Sequence, residues 1–331
     1  MNARPDLRSA QGLIALQRLP RVGRATALRA ALSGHLPGPP DSGSLGESSL
    51  AEAYEWADRE LDRYHRAGVA VVDFFDRRYP PHLSEIADPP VVLFVRGNAD
   101  ILMNARLVAV VGTREPSRFG ETAARSIVSA LAERGWGVVS GLARGIDTVA
   151  HRTALDQGAP TIAVLGCGLD RVYPWENEDL AGEIVARDGA LVSELPLGAP
   201  PVPRNLIARD RIQSGAGVAV VLAQTGIEGG AMHTARFAAE QGRPIFCPVP
   251  PNGNGKNQGL RALLEQPAEV LCNVIPAWQH AGALHKRLGR RPIAHPVTPE
   301  TIDDLLDHLE AALDRTPEVE QQTLLVPEQL G

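Results

Sequence analysis

Short apolar runs and amphipathic stretches alternate along most of this chain. Runs of three to seven residues recur at Val69–Phe75, Val91–Val95, Leu107–Val111, Gly137–Val139, Thr161–Leu165, Ala190–Val192, Val218–Leu222 and Pro244–Cys247. Runs this short, apolar on both faces, predict buried parallel strands. Helical periodicity fills the gaps at Glu121–Arg134, Asp147–Gln157, Asn177–Arg187 and Ala231–Gln241. Strand alternating with helix predicts a doubly wound α/β domain over about 75–275, with a mostly parallel sheet. The first 70 residues read differently. Leu13, Leu16 and Leu19, then Leu28 and Leu32, frame Pro20-Arg21-Val22-Gly23, the pattern of helix, tight turn, helix. Gly, Pro and Ser fill Ser33–Ser49 as a linker, and Leu50–Arg66 predicts another helix. Residues 280–331 predict a short, acidic, partly helical segment with one amphipathic helix at Pro299–Leu313.

With 44% hydrophobic and 22% charged residues in 331, there is material for a large core, and whole-chain disorder is excluded. No run approaches the roughly 18 apolar residues that span a bilayer, and the start of the chain has no signal-peptide core. Three well-separated cysteines, Cys167, Cys247 and Cys272, predict neither disulfides nor zinc and fit a cytoplasmic setting. The net charge of −6 is unevenly spread. Residues 297–331 hold nine acids and one base, whereas residues 1–36 hold six arginines against Asp6. Nearly every cation is arginine, with only Lys256 and Lys286 as lysines, so phosphate contacts fall to planar guanidinium forks.

In doubly wound sheets ligands bind past the carboxyl ends of the strands. Gly112, Thr113, Arg114, Ser117 and Arg118 after the Leu107–Val111 run combine close backbone approach, hydroxyls, forks and a helix N-terminus. Ser140, Gly141, Arg144 and Gly145 form a second such loop. It lacks the acid that nicotinamide enzymes place there for ribose, so no cofactor is expected, and Asp147 reads as a helix cap. Gly166 sits in a third loop beside Cys167, which reads as a small buried residue. Arg209 and Arg211 follow a proline-rich turn and are expected to serve different phosphates. Gly229 and Gly230 open a further helix, where His233 reads as a helix-start hydrogen bonder. Phe119, Trp175 and Phe237 are the candidates for base stacking, with core packing the favoured reading for each. No nucleophile–base pair, carboxylate dyad or metal set is visible, so a polyanion-binding surface is the reading and no catalytic or metal residues are assigned.

Several of these segments resemble the DprA/Smf family. They are VAVVGTR at Val108–Arg114, SGLARGIDTVAH at Ser140–His151, IAVLGCGLDRVY at Ile162–Tyr173, Ser193-Glu194, ARFAAEQGR at Ala235–Arg243, Tyr79-Pro80 and Pro89–Gly97. The resemblance covers about 70–275 and implies an extended Rossmann-like domain there. It implies a homodimeric single-stranded DNA-binding protein, with no enzymatic activity, that protects incoming DNA in natural transformation and loads RecA recombinase. Single-stranded DNA-binding protein is a possible further partner. It also implies that residues 1–70 form a SAM or helix-hairpin-helix domain, with Arg21, Gly23 and Arg24 as its DNA contacts. The chain departs from the family at Ala208-Arg209-Asp210-Arg211-Ile212, where the family has Arg-Arg-Asn-Arg-Ile, and at Glu228–Ala231, where the family has Ser-Gly-Ser. Lys256-Asn257 keeps part of a following motif, and residues 280–331 are too short for the family's winged helix, leaving a degenerate one or a helical tail. The alternative is a nucleotide-binding sensor, or a phosphoribohydrolase-like enzyme, using the same phosphate loops.

Overall fold

A computed structural model describes residues 6–36, 47–252, 255–279, 281 and 284–314. Nine strands form one sheet: β1 (Ala70–Asp73), β2 (Val92–Gly97), β3 (Leu107–Gly112), β4 (Gly137–Ser140), β5 (Thr161–Val164), β6 (Ala190–Ser193), β7 (Ala219–Gln224), β8 (Ile245–Pro248) and β9 (Ala294–Val297). Their order is β1-β2-β6-β5-β4-β3-β7-β8-β9. All eight apolar runs are strands. From β6 to β9 every pairing is parallel, whereas β1–β2 and β2–β6 are antiparallel. The chain leaves β3 towards β4 on one side and reaches β7 on the other, so β3 is the topological switch point.

The helices before the sheet are α1 (Ala10–Arg18), α2 (Arg24–Ser33) and α3 (Glu47–Arg66), with the one-turn α4 (Pro81–Ser84) after β1. Between the parallel strands lie α5 (Arg118–Glu133), α6 (Ile146–Asp156), α7 (Glu178–Ala186), α8 (Pro203–Ala216) and α9 (Ala231–Gln241). Then come α10 (Gln258–Glu265), α11 (Ala268–Val274), α12 (Leu284–Leu288) and α13 (Ile302–Asp314). Apolar residues of α5, α6 and α13 cover part of one sheet face, and those of α9, α10 and α11 cover the opposite face.

Two boundaries differ from expectation. Residues 6–36 and 47–66 do not form a core of their own: Leu13 and Leu16 join Leu93, Val95 and Ile162 in one cluster, and Tyr64 stacks on Phe94 at 4.3 Å. The antiparallel edge gives these helices an apolar face to bury. At the other end, the described residues 284–314 form no winged helix and join the sheet domain. The segment Ala294–Val297 extends the sheet beside β8, and α13 seals the core with Leu305, Leu306 and Leu309. Its Glu310 carboxylate binds Arg106 and accepts from the Trp136 indole N–H at 3.2 Å. Most of the expected linker, 37–46, and the final residues, 315–331, lie outside the described residues. Leu309 is fully buried, so Leu309→Ala should destabilise the whole sheet by about 2–5 kcal/mol in equilibrium denaturation. A change below about 0.5 kcal/mol would mean that α13 is a detachable tail.

Candidate functional site

Three loops converge past the carboxyl ends of β3, β4 and β7. The Thr113 amide donates to the Gln224 carbonyl at 2.7 Å, and the Ile146 amide donates to the Thr113 carbonyl at 3.1 Å. Gly145 has φ +80°, and a Cβ there would stand 2.3 Å from the Thr113 carbonyl oxygen. Only glycine allows this approach. The crevice holds a cavity of about 370 Å³ lined by Gly112, Thr113, Arg114, Asp210, Gly229 and Gly230 among others. A second cavity of about 200 Å³ adjoins it, with Arg114, Gly141, Arg144, Gly166 and Trp175 in its wall. Arg114 and Arg209 line both. Arg114, Arg118 and Arg144 are exposed, and Arg118 opens α5.

Other expected ligand groups are spent on the scaffold. The Ser140 hydroxyl is fully buried and donates to the Val110 carbonyl at 2.6 Å, so it holds β4 to β3. Ser117 is engaged by the Gln224 side chain, whose Oε1 accepts the Ser117 amide at 2.8 Å. Gln224 in turn donates to Asn257 at 2.5 Å. Gly166 packs on α8, where a Cβ would meet Leu206 at 2.9 Å. Asp147 does not cap its own helix; its carboxylate accepts the upstream Gly141 and Ala143 amides at 3.1 and 3.3 Å.

The arginine expectations need correction. Arg209 and Arg211 are 7% and 4% exposed on α8, so neither is a free phosphate fork. Arg209 donates to the Val164 carbonyl at 3.0 Å and pairs with Asp210 at 3.3 Å. Its guanidinium crosses Gly141, where a Cβ would fall 1.5 Å from Nη1. Arg211 grips Glu194 at 2.6 Å and Asp88 at 3.2 Å. Arg24 joins the same two carboxylates, Asp88 at 2.8 Å and Glu194 at 3.0 Å, tying α2 to the sheet domain instead of reaching outward. Arg21 and Gly23 remain exposed in the α1–α2 turn.

Titration of the buried groups follows from burial. Burial lifts the Cys167 thiol to about 11 and drops His151 to about 3, with Arg209 also disfavouring the imidazolium. His233 lines the larger cavity and is lowered by burial and by Arg236. Burial raises Asp210 to about 7; Asp147 pushes the same way, and Arg209, Arg114 and Arg236 oppose it. Among the described residues no group of three or more His, Cys, Asp or Glu is arranged to hold a metal ion. Core packing, the favoured reading for Trp175, is corrected: it is 75% exposed, and Tyr173 beside it, which sequence reasoning missed, is exposed too. The available signal was their place in the proline-bearing turn Tyr173-Pro174-Trp175-Glu176, without apolar residues at helix or strand spacing.

Two predictions follow from these placements. The Asp210 carboxyl is raised from its ordinary 3.8, so its contribution to stability is complete below that value and is lost as pH rises through about 7. Unfolding at about pH 5 and about pH 8 should show this loss in the wild type and not in Asp210→Asn. Parallel pH curves for the two proteins would contradict the assignment. Arg211→Ala removes one of the two guanidinium partners of the buried Glu194, leaving Arg24, and should cost up to about 3–5 kcal/mol of stability. Wild-type stability in that variant would show that the ion pair is dispensable.

The family described as DNA recombination-mediator protein A matches residues 70–281. Protein Smf of Escherichia coli is 42% identical over 203 residues, covering 59% of this chain and 54% of that protein. The chain therefore spans about half the length of that relative. DNA processing protein DprA of Streptococcus pneumoniae is 38% identical over 198 residues, covering 60% of this chain and 69% of that protein. The crystal structure of DprA from that organism superposes with a TM-score of 0.63 at 31% identity, covering 78% of this chain and 90% of that one. DprA from Helicobacter pylori, at 24% identity and TM-score 0.58 over 73% of this chain and 97% of its own, shares the fold. On its motifs, its sheet topology and this match over most of its length, the chain belongs to the DprA/Smf family, the DNA recombination-mediator protein A family.

Proposed function

We propose that the chain binds single-stranded DNA along the crevice past β3, β4 and β7. In this reading it works as a cytoplasmic homodimer that protects incoming strands in transformation and recombination, and delivers them to RecA recombinase, with single-stranded DNA-binding protein as a further partner. It acts by binding and not by catalysis. The observation that carries the reading is the position of Arg114: exposed, and in the wall of two adjoining cavities at the switch point. Phosphates on neighbouring nucleotides can be gripped by Arg114 and Arg144 while backbone approaches at Gly112 and Gly230. Such contacts position a strand without reading its sequence. Single-stranded DNA binding described for the Helicobacter pylori protein of the same fold supports the ligand class. The exposed turn residues Arg21 and Gly23 are the remaining candidates for an N-terminal DNA contact.

The test is fluorescence anisotropy with single- and double-stranded oligonucleotides of several lengths over a salt series. Single-strand affinity should rise with length and fall with salt. Arg114→Ala should weaken binding and reduce the salt slope by about 0.7, one phosphate's share for single strands. An unchanged slope would remove Arg114 from the interface. The nucleotide-sensor reading is favoured by one feature: the larger cavity, about 370 Å³, falls in the range of small-ligand pockets. A sensor would bind mononucleotides as tightly as oligonucleotides and show no length dependence.

A further inference from the structure

The strongest unassigned feature is the exposed tryptophan at the rim of the smaller cavity. Trp175 is 75% exposed, whereas Trp136 and Trp278 are fully buried and Trp56 packs beneath Arg18 at 5.3 Å. Leaving an indole in water forgoes the burial that the other tryptophans obtain. Nor is Trp175 exposed because its segment lacks anchorage. Two residues on, the buried Asn177 donates to the Leu142 carbonyl at 2.8 Å and to the Thr148 hydroxyl at 2.9 Å, fastening the turn to α6 and its entry loop. A rigid turn therefore holds an aromatic face in solvent. Tyr173, also exposed, lies in the same wall of the 200 Å³ cavity, as do Arg114 and Arg144.

We propose that Trp175 and Tyr173 form a base-stacking platform that receives an unpaired nucleobase of the strand while Arg114 and Arg144 hold the flanking phosphates. The inference rests on the strand-binding reading and adds to it the place where bases are held. Aromatic faces accept any base, and guanidinium groups beside them take the backbone charge, the arrangement that suits single strands. A second copy of the chain is the competing occupant, because exposed aromatics also mark protein interfaces. The two guanidinium groups in the same wall favour a polyanion. Arg144 pairs with Glu176 at 3.7 Å, but both are exposed, so the pair is weak and yields readily to a phosphate.

The experiment compares an oligothymidylate with an abasic strand of equal length, using anisotropy and tryptophan emission. Intact protein should bind the base-bearing strand more tightly than the abasic one, and that strand should quench the emission. Trp175→Ala should weaken binding of the base-bearing strand at least about fivefold and leave the abasic strand unaffected. Trp175→Phe should restore the affinity without the quench, whereas Arg114→Ala should weaken both strands. The platform is overturned if Trp175→Ala binds the base-bearing strand like the intact protein, or if the quench survives in Trp175→Phe. It is also overturned if Trp175→Ala merely converts a dimer to a monomer in sedimentation with strand binding unchanged. Equal binding of both strands by the intact protein overturns the platform alone; binding of neither overturns the strand-binding reading and the platform with it.

Discussion

The buried guanidinium of Arg209 is the constraint on which the crevice depends. Removing a charge from water is costly unless partners replace the lost hydration. Here a carbonyl of β5, Val164, and the Asp210 carboxylate supply contacts, and Asp147 acts at longer range. The guanidinium reaches them only by crossing Gly141, where a methyl group would overlap it. The glycine after β4 therefore serves a side chain of the protein and not a phosphate. Asp147, favoured by the nearby guanidinium, in turn gathers the amides of Gly141 and Ala143. One buried cation thus sets the height of α8 over the sheet and the shape of the loop that carries Arg144.

The same economy explains which parts of the fold were legible in sequence. Central strands buried on both faces leave apolar runs, and all eight runs became strands. The ninth strand, Ala-His-Pro-Val, was hidden because it is an edge strand whose His295 and Pro296 are exposed. Helix α8 was hidden for the opposite reason. Residues 209–216 are all buried, yet they include Arg209, Asp210, Arg211, Gln213 and Ser214, so no apolar stripe marks the helix. Its polar residues looked like ligand groups because buried ion pairs and phosphate sites use the same residue types.

Arginine identity was accordingly a poor guide to role, and burial separates the roles. Arg24 and Arg211 share Asp88 and Glu194 across a seam between the N-terminal helices and the sheet domain. Such a network fixes how those helices sit, through charges that a ligand cannot reach without breaking it. Of the crevice arginines, Arg114, Arg118 and Arg144 remain exposed and are free to exchange counterions for phosphates. Loop composition marked these arginines as candidates, but could not tell supporting charges from exposed ones.

Asp210 gives the crevice an electrostatic character of its own. A carboxyl group beneath an anion-binding loop opposes the ligand when ionised and is nearly indifferent when protonated. Burial holds its titration near neutrality, so the opposing charge is only partly present there. The family's asparagine would carry no such charge. On the proposed strand-binding reading, the acid lowers the affinity of each crevice while leaving the exposed guanidinium groups, and the salt dependence they would generate, in place. With weak single sites, retention of a long strand depends on several contacts acting together, and two crevices in one assembly would raise the effective concentration of the strand at each. Weak, multiple contacts of this kind would also let a strand be released stepwise, as the proposed role of passing DNA onward requires.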